Sequence, residues 1–396
     1  MAEDVAGAVR RRFPAAAPDG LLAALLLSFL ATAGLFYVNI MPALIAGLVD
    51  GLHYTQRQAG LVGSANVYGA AFGALIAVFF VRRVPWRPAA LVVLISLIAA
   101  DCASMFVRAP DAMIVMRFVH GSIGGLLVGI GFAVIARTRM PDRVFGMLLV
   151  VQFGLGGVGV MTLPRLVPVF GVKALFFALI LFSVVTLLML PFLADYPVRE
   201  LDTAKDRGPD RIAWMPLGVA LLSVFLFQAG NMALAAYMIE LGRAYGLQTG
   251  FISTTLGIAA WIGAIGSLLV VAFGTRFGRL KPLAIALVLT VLGNAAFHFG
   301  GSVAIFAGAN IGTAITWAFV IPYLLGMCAA FDATGQTAAM GGFVSKMGLA
   351  TGPLIGAGLL GSTDYPLLIN VSVAALAASA VAALWPAYVL DRTRQL

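Results

Sequence analysis

The chain has 396 residues, 62% of them hydrophobic and only 10% charged, with a formal net charge of +9. Its repeated apolar runs, each roughly 20 residues or more and so able to cross a hydrocarbon layer about 30 Å thick, exclude a soluble globular domain and are too long and too uniformly apolar for barrel strands, which leaves an all-α integral membrane protein. The basic residues sit in short clusters between apolar runs, so the positive balance reads as a topology signal and not as a nucleic-acid surface.

At the N-terminus Arg10, Arg11 and Arg12 precede an apolar run that reaches "ATA" at 31–33, the pattern of a signal peptide with its cleavage site. The run continues to about Val49, too long for a signal core, so an uncleaved first helix is expected. Apolar runs between charged or Pro/Gly breaks predict helices at 20–48, 57–81, 88–107, 111–136, 144–169 and 171–193, and, after the polar segment "ADYPVRELDTAKDRGPDRI", at 213–240, 249–274, 282–299, 301–330, 336–361 and 364–390. The expected organisation is an N-terminal tail (1–19), a six-helix bundle (20–193), a linker (194–212), a second six-helix bundle (213–390) and a C-terminal tail (391–396).

With the N-terminus assigned to the cytoplasm, 18 Lys/Arg fall on the inner side, while only Arg57, Arg108, Arg165, Lys173 and Arg243 fall near the outer side, and Arg117 and Lys346 remain within spans. That asymmetry predicts a multi-pass protein of a bacterial inner (plasma) membrane with both termini cytoplasmic. Cys102 and Cys328 lie far apart in apolar segments, with no disulfide framework and no metal-ligand spacing. With three histidines, no nucleophile beside a base and no phosphate-cradling loop, the sequence offers no enzyme chemistry, no metal site and no cofactor site.

The halves resemble each other. "GALIAVFFVRR" from Gly73 lies over "GSLLVVAFGTR" from Gly266 at an offset of 193, both running from the second span of a half into a basic loop, as expected for parallel repeats related about the membrane normal. "FGTRFGRLK" after the eighth span carries Arg276, Gly278 and Arg279, and "MRFVHGSIGG" carries Arg117 followed four positions later by Gly121. On these motifs and the six-plus-six organisation the chain resembles a major facilitator superfamily transporter over nearly its whole length. It departs from the pattern where the loop aspartate is replaced by Thr275, where "FVRRVPWRP" lacks both the aspartate and the loop glycine, and where no antiporter signature stands in the fifth span. The resemblance implies alternating access, a cavity lined by the first, fourth, seventh and tenth helices, and a gating part for Arg276, Gly278 and Arg279.

Two cations lie deep in the apolar spans. Lys346 sits about ten residues into the eleventh span, roughly 15 Å along a helix rising 1.5 Å per residue, where a charge costs at least roughly 3 kcal/mol on insertion scales. It reads either as a structural group paired near Pro353 or as an anion-binding group; Gln152 holds the matching position in the fifth span. Arg117 and Asp101 lie at equal depth across the hairpin of the third and fourth spans, so Asp101 either neutralises Arg117 structurally or, with neighbouring His120, takes up a proton during coupling. Gly348, Gly352 and Gly356 repeat every fourth position around Pro353, an expected gate element able to approach a neighbouring backbone closely. Glu240 and Arg243 read as a solvated i,i+3 pair.

Polar stripes complete the candidate site: Asn39 in the first span, Gln228 and Asn231 in the seventh, and Asn310, Thr313 and Trp317 in the tenth. The expected partners are a small solute, protons and the lipid bilayer. An organic anion is the favoured solute because Arg117 and Lys346 face only one buried carboxylate, Asp101. A proton-driven drug exporter and a non-transporting receptor or scaffold are the alternatives.

Overall fold

A computed structural model describes residues 15–80, 84–139, 141–196, 213–273, 276–331, 336–360 and 364–393. Most of the expected tails and linker, and with them Arg82, Arg83 and Thr275, lie outside the described residues. The described chain is helical: α1 (Leu21–Ala33), α2 (Phe36–Asn39), α3 (Met41–Leu52), α4 (Gln56–Phe80), α5 (Trp86–Ser104), α6 (Pro110–Ala136), α7 (Pro141–Phe170), α8 (Lys173–Met189), α9 (Trp214–Ala235), α10 (Met238–Ala244), α11 (Thr249–Phe273), α12 (Leu280–Ala295), α13 (Val303–Ala330), α14 (Gln336–Leu359) and α15 (Tyr365–Thr393). Among the described residues ten helices are long and apolar enough to cross a membrane; the broken first span and the glycine-rich α14 complete twelve crossings of a multi-pass membrane protein.

The first and seventh spans differ from the sequence reading, which made each a single helix. The first is cut into α1, α2 and α3: Pro42 opens α3, where its missing N–H breaks the ladder, and Ile40 before it adopts φ −110°, ψ 17°. The seventh breaks at Tyr237 with nearly the same angles, φ −110° and ψ 18°, between α9 and α10. Both first spans end in a left-handed residue, His53 (φ 56°) and Gly246 (φ 78°), again 193 positions apart. After His53, Thr55 and Gln58 form a reciprocal cap on α4: the Thr55 N–H donates to Gln58 Oε1 (2.9 Å) and the Gln58 N–H to Thr55 Oγ1 (3.2 Å).

Within each half the same helices pack by the same device. A Cβ on Gly73 of α4 would fall inside contact distance of the Ser122 carbonyl of α6, and one on Gly266 of α11 inside that of the Ile315 carbonyl of α13. Both members of the second contact lie 193 residues beyond those of the first, so the repeat seen in sequence is a repeat of packing. Between halves, α4 packs on α14 and α7 on α11.

One apolar core runs through both halves at the face carrying the α3–α4 and α10–α11 turns, here called the latched face; it includes Ile40, Met41, Leu44 and Phe176 together with Ala233, Tyr237, Ile239 and Phe306. Toward the opposite face the core divides. One cluster, with Leu27, Leu30, Leu94 and Val134, belongs wholly to the first half, and another, with Phe227, Leu287, Leu324 and Leu376, to the second. The halves are thus joined at one face and separately packed toward the other.

Candidate solute site and the groups around it

A cavity of about 300 Å³ lies between the halves at mid-depth. Seven of the expected solute-site residues line it: Asn39, Gln152, Gln228, Asn231, Asn310, Thr313 and Trp317. The broken spans supply part of the wall, through Val38 and Asn39 of α2 and Ala235 and Met238 on either side of the Tyr237 break. The expected contribution of the fourth span is replaced by the fifth, α7, with Phe153, Gly156 and Val160 beside Gln152.

Hydrogen bonds divide the lining into an occupied side and an available side. In the second half the Trp317 indole N–H donates to Gln228 Oε1 (2.8 Å) and Gln228 Nε2 to Ser345 Oγ (2.8 Å), which fixes the amide and the ring together. Asn231, Asn310 and Thr313 donate back to their own helices, to the carbonyls of Phe227 (3.0 Å), Phe306 (2.8 Å) and Ala309 (2.7 Å). In the first half Asn39 Nδ2 is buried without a partner, and Gln152 makes no hydrogen bond among the described residues. A buried donor without a partner costs about 1–3 kcal/mol, so a solute offering acceptors to these two amides would recover that loss. Among the described residues that line the cavity none carries a formal charge.

Both deep cations lie outside this lining. Arg117 is fully buried behind it, with Nη1 donating to Asp101 Oδ1 (2.9 Å), Nη2 donating to the Ser104 hydroxyl, and its guanidinium between the rings of Tyr37 (5.9 Å) and Phe176 (5.2 Å). His120 joins them, Nε2 lying 3.2 Å from Asp101 Oδ2. Asn66 Nδ2 donates both to the Arg117 carbonyl (3.2 Å) and to His120 Nδ1 (2.8 Å). The first of these contacts fixes the Asn66 amide with its nitrogen toward the two acceptors, so His120 Nδ1 is unprotonated and Nε2–H donates to Asp101. The cluster is then one guanidinium, one carboxylate and a neutral imidazole, with no net charge. The structure brings Asp101, His120 and Arg117 together and keeps them from the cavity by one residue layer: Tyr37, which covers Arg117, is followed directly by Val38 and Asn39 of the lining.

Lys346 is half-buried, makes no hydrogen bond or ion pair among the described residues, and stands one helical turn before the lining residue Leu349. The neighbouring stripe of α14 does approach a backbone. Cβ atoms at Gly348 and Gly352 would lie 2.6 Å from the Phe225 carbonyl oxygen and the Met232 Cβ of α9. Pro353 offers its carbonyl to the Tyr237 hydroxyl (2.9 Å). Of the expected loop elements, Arg276 is exposed, Gly278 has φ 72°, and the Arg279 N–H is held by Asp391 of α15. Asp391 accepts from the N–H groups of Arg279 (2.8 Å) and Leu280 (2.9 Å), a cap on α12 from a distant helix that local sequence patterns do not show.

The latched face holds contacts that the sequence reading missed. Arg243 of α10 donates to Asp50 of α3 through its two terminal guanidinium nitrogens, Nη1 and Nη2, at 2.9 and 2.8 Å, across the halves. It is therefore not half of a solvated pair with Glu240, whose side chain is only 4% exposed. Asp50 and Arg243 stand 193 positions apart, the repeat offset, and equivalent residues that touch must lie on the axis relating the halves; opposite charges at that offset were the available signal. Tyr68 Oη with Thr351 Oγ1 (2.8 Å), Gln56 Nε2 with Tyr365 Oη (2.5 Å) and Arg165 Nη2 with Thr254 Oγ1 (2.6 Å) also bridge the halves.

Twelve crossings, paired repeats and an axial cavity define a chain with the major facilitator fold. Among solved structures it is similar to a point mutant of the nucleoside transporter NupG (15% identity, covering 92% of this chain and 98% of that one, TM-score 0.67) and to a D-xylose-proton symporter (14% identity, 92% and 96%, TM-score 0.68). No protein-family model and no curated protein matches the sequence.

Proposed function

We propose that this chain is a secondary transporter that carries a small polar solute by rocking its two halves about the axial cavity, with protons as the coupling ion. The observation that carries this reading is the cavity itself, set between the repeats, with uncharged amides and one indole placed in an otherwise largely apolar lining. Amides that both donate and accept, beside an aromatic face, suit an uncharged solute rich in hydroxyl or ring nitrogen groups, which is in keeping with the nucleoside and xylose named for the two structural neighbours. The latched face is the outer one on the positive-inside count, so the described state is closed to the outside.

Proton coupling is assigned to Asp101 and His120. Tyr37 packs over Arg117 and lies 6.1 Å from the His120 ring, centroid to centroid, while Asn39 two residues on lines the cavity. A shift of α2 on solute binding therefore moves the cover of the buried cluster. An organic anion is the second reading, and the ammonium of Lys346 beside the cavity, unpaired among the described residues, favours it. A lipophilic-cation exporter would want a carboxylate in the lining, and none of the described lining residues is one.

A thermal-stabilisation screen tests the assignment, since a ligand that binds only the folded state raises the melting temperature by mass action. Polyols, nucleosides, organic anions and lipophilic cations are compared on the wild type, Gln228→Ala and Lys346→Ala. Uncharged polar hits that vanish in Gln228→Ala and persist in Lys346→Ala support the first reading. Anion hits lost in Lys346→Ala support the second, and hits confined to lipophilic cations overturn both.

A further inference from the structure

The symmetric pair Asp50–Arg243 has a third member without counterpart. Glu240 lies one turn before Arg243 on α10, and the position equivalent to it in the first half is Gly47. One carboxylate oxygen, Oε1, accepts from Arg243 Nη1 (3.3 Å); the other, Oε2, is buried and has no partner among the described residues. Arg243 is otherwise committed, to both oxygens of Asp50 and, through Nε, to Thr249 Oγ1 (3.1 Å). The charged and titratable groups facing Glu240 are Arg243 on its own helix, Tyr237 at the break before it, Asp50 from α3 and Tyr365 from α15. One cation is thus shared by two carboxylates, of which the buried one receives the longer and weaker bond.

We infer that Glu240 is a proton-binding site that ties protonation to closure of the latched face. While the halves are joined, Asp50 holds Arg243 by a bidentate bond, and a proton on Glu240 removes the surplus buried charge. When the halves part at this face, Asp50 leaves with α3 and Arg243 stays with α10. The guanidinium then belongs to Glu240 alone, which releases its proton to the water that enters. Acid on this face favours the joined state, and alkali favours separation. The inference rests on the alternating-access reading but not on the identity of the solute or on the Asp101 cluster.

The test is a distance measurement by pulsed electron spin resonance on the full chain in lipid nanodiscs, with spin labels at Phe106→Cys and Phe299→Cys, two exposed residues at the latched face in different halves, in a Cys102→Ser, Cys328→Ala background. The expected result is two distance populations, the shorter growing as pH falls from 9 to 5. Glu240→Gln, nearly isosteric and unable to ionise, holds the shorter distance at every pH, and Asp50→Asn shifts the balance to the longer one. A wild-type-like pH response in Glu240→Gln overturns the inference, as does a response that disappears only in Asp101→Asn, which would place the proton in the buried cluster. Two populations indifferent to pH sink the latch and leave alternating access standing. A single distance in every variant at every pH sinks both.

Discussion

Arg117 shows how far one residue's role can be read from its position in a sequence. Its pairing with Asp101 was legible as an option because residues of opposite charge at equal depth on the two arms of a tight hairpin can reach each other, and they lie 2.9 Å apart. Its exclusion from the cavity was not legible. Depth follows from counting along a span, but the direction a residue points around the helix must come from an apolar-to-polar gradient, and a helix between lipid and an apolar core has little of one. The same blindness placed Lys346 on the lining, from which the structure sets it one turn away. Asp101→Asn, which leaves a fully buried guanidinium without its counter-charge, is expected to lower stability by about 3–5 kcal/mol, whereas Arg117→Leu combined with Asp101→Leu costs much less; denaturant titration of the purified protein measures both, and equal losses would contradict the pairing account. Gln228 anchors both Trp317 and Ser345, so Gln228→Ala is expected to weaken solute binding at least tenfold, about 1.4 kcal/mol, while Thr254→Ala, near the latched face, leaves it unchanged.

Among the elements, the twelve crossings were readable because length alone decides which apolar runs can span. The break in the first span had a visible cause in Pro42; the matching break at Tyr237 has no proline and became evident only from the fold. Glycine spacing carried real information where it fell on a helix contact. Gly73→Ala should force α4 from α6 at a cost of about 1–3 kcal/mol, while Gly308→Ala on α13, with open space around it, should be neutral; melting temperatures of the two variants decide the matter, and equal shifts would contradict the packing described. The Asp391 cap belongs to the same scale. Its loss in Asp391→Ala leaves the N–H groups of Arg279 and Leu280 unpaired and is expected to cost about 0.5–2 kcal/mol, read as faster proteolysis of the α11–α12 turn. Here the sequence showed Gly278 and Arg279 but not the carboxylate that holds them, because it arrives from a helix 112 positions away.

For the whole molecule, the central relation is between the repeat and the division of the core. Two halves built on one plan share a single apolar core at the latched face and keep separate cores toward the other, with an uncharged cavity between them. Rocking would exchange these arrangements, joining the second face as the first opens. The offset of 193 could have been carried further from the sequence, since Asp50 and Arg243 are equivalent positions of opposite charge, but nothing in a sequence says which equivalent pairs lie on the axis. The most direct measurement is solute counterflow in liposomes with the latch fastened: Asp50→Cys and Arg243→Cys, in the cysteine-free background, bridged by a short bifunctional maleimide. The bridged protein should keep its thermal shift with the solute while counterflow falls to the level of protein-free vesicles, measured against the same double variant before bridging, whose own rate is the reference. Counterflow undiminished by the bridge would contradict the account, because the solute would then be crossing without the halves parting at this face.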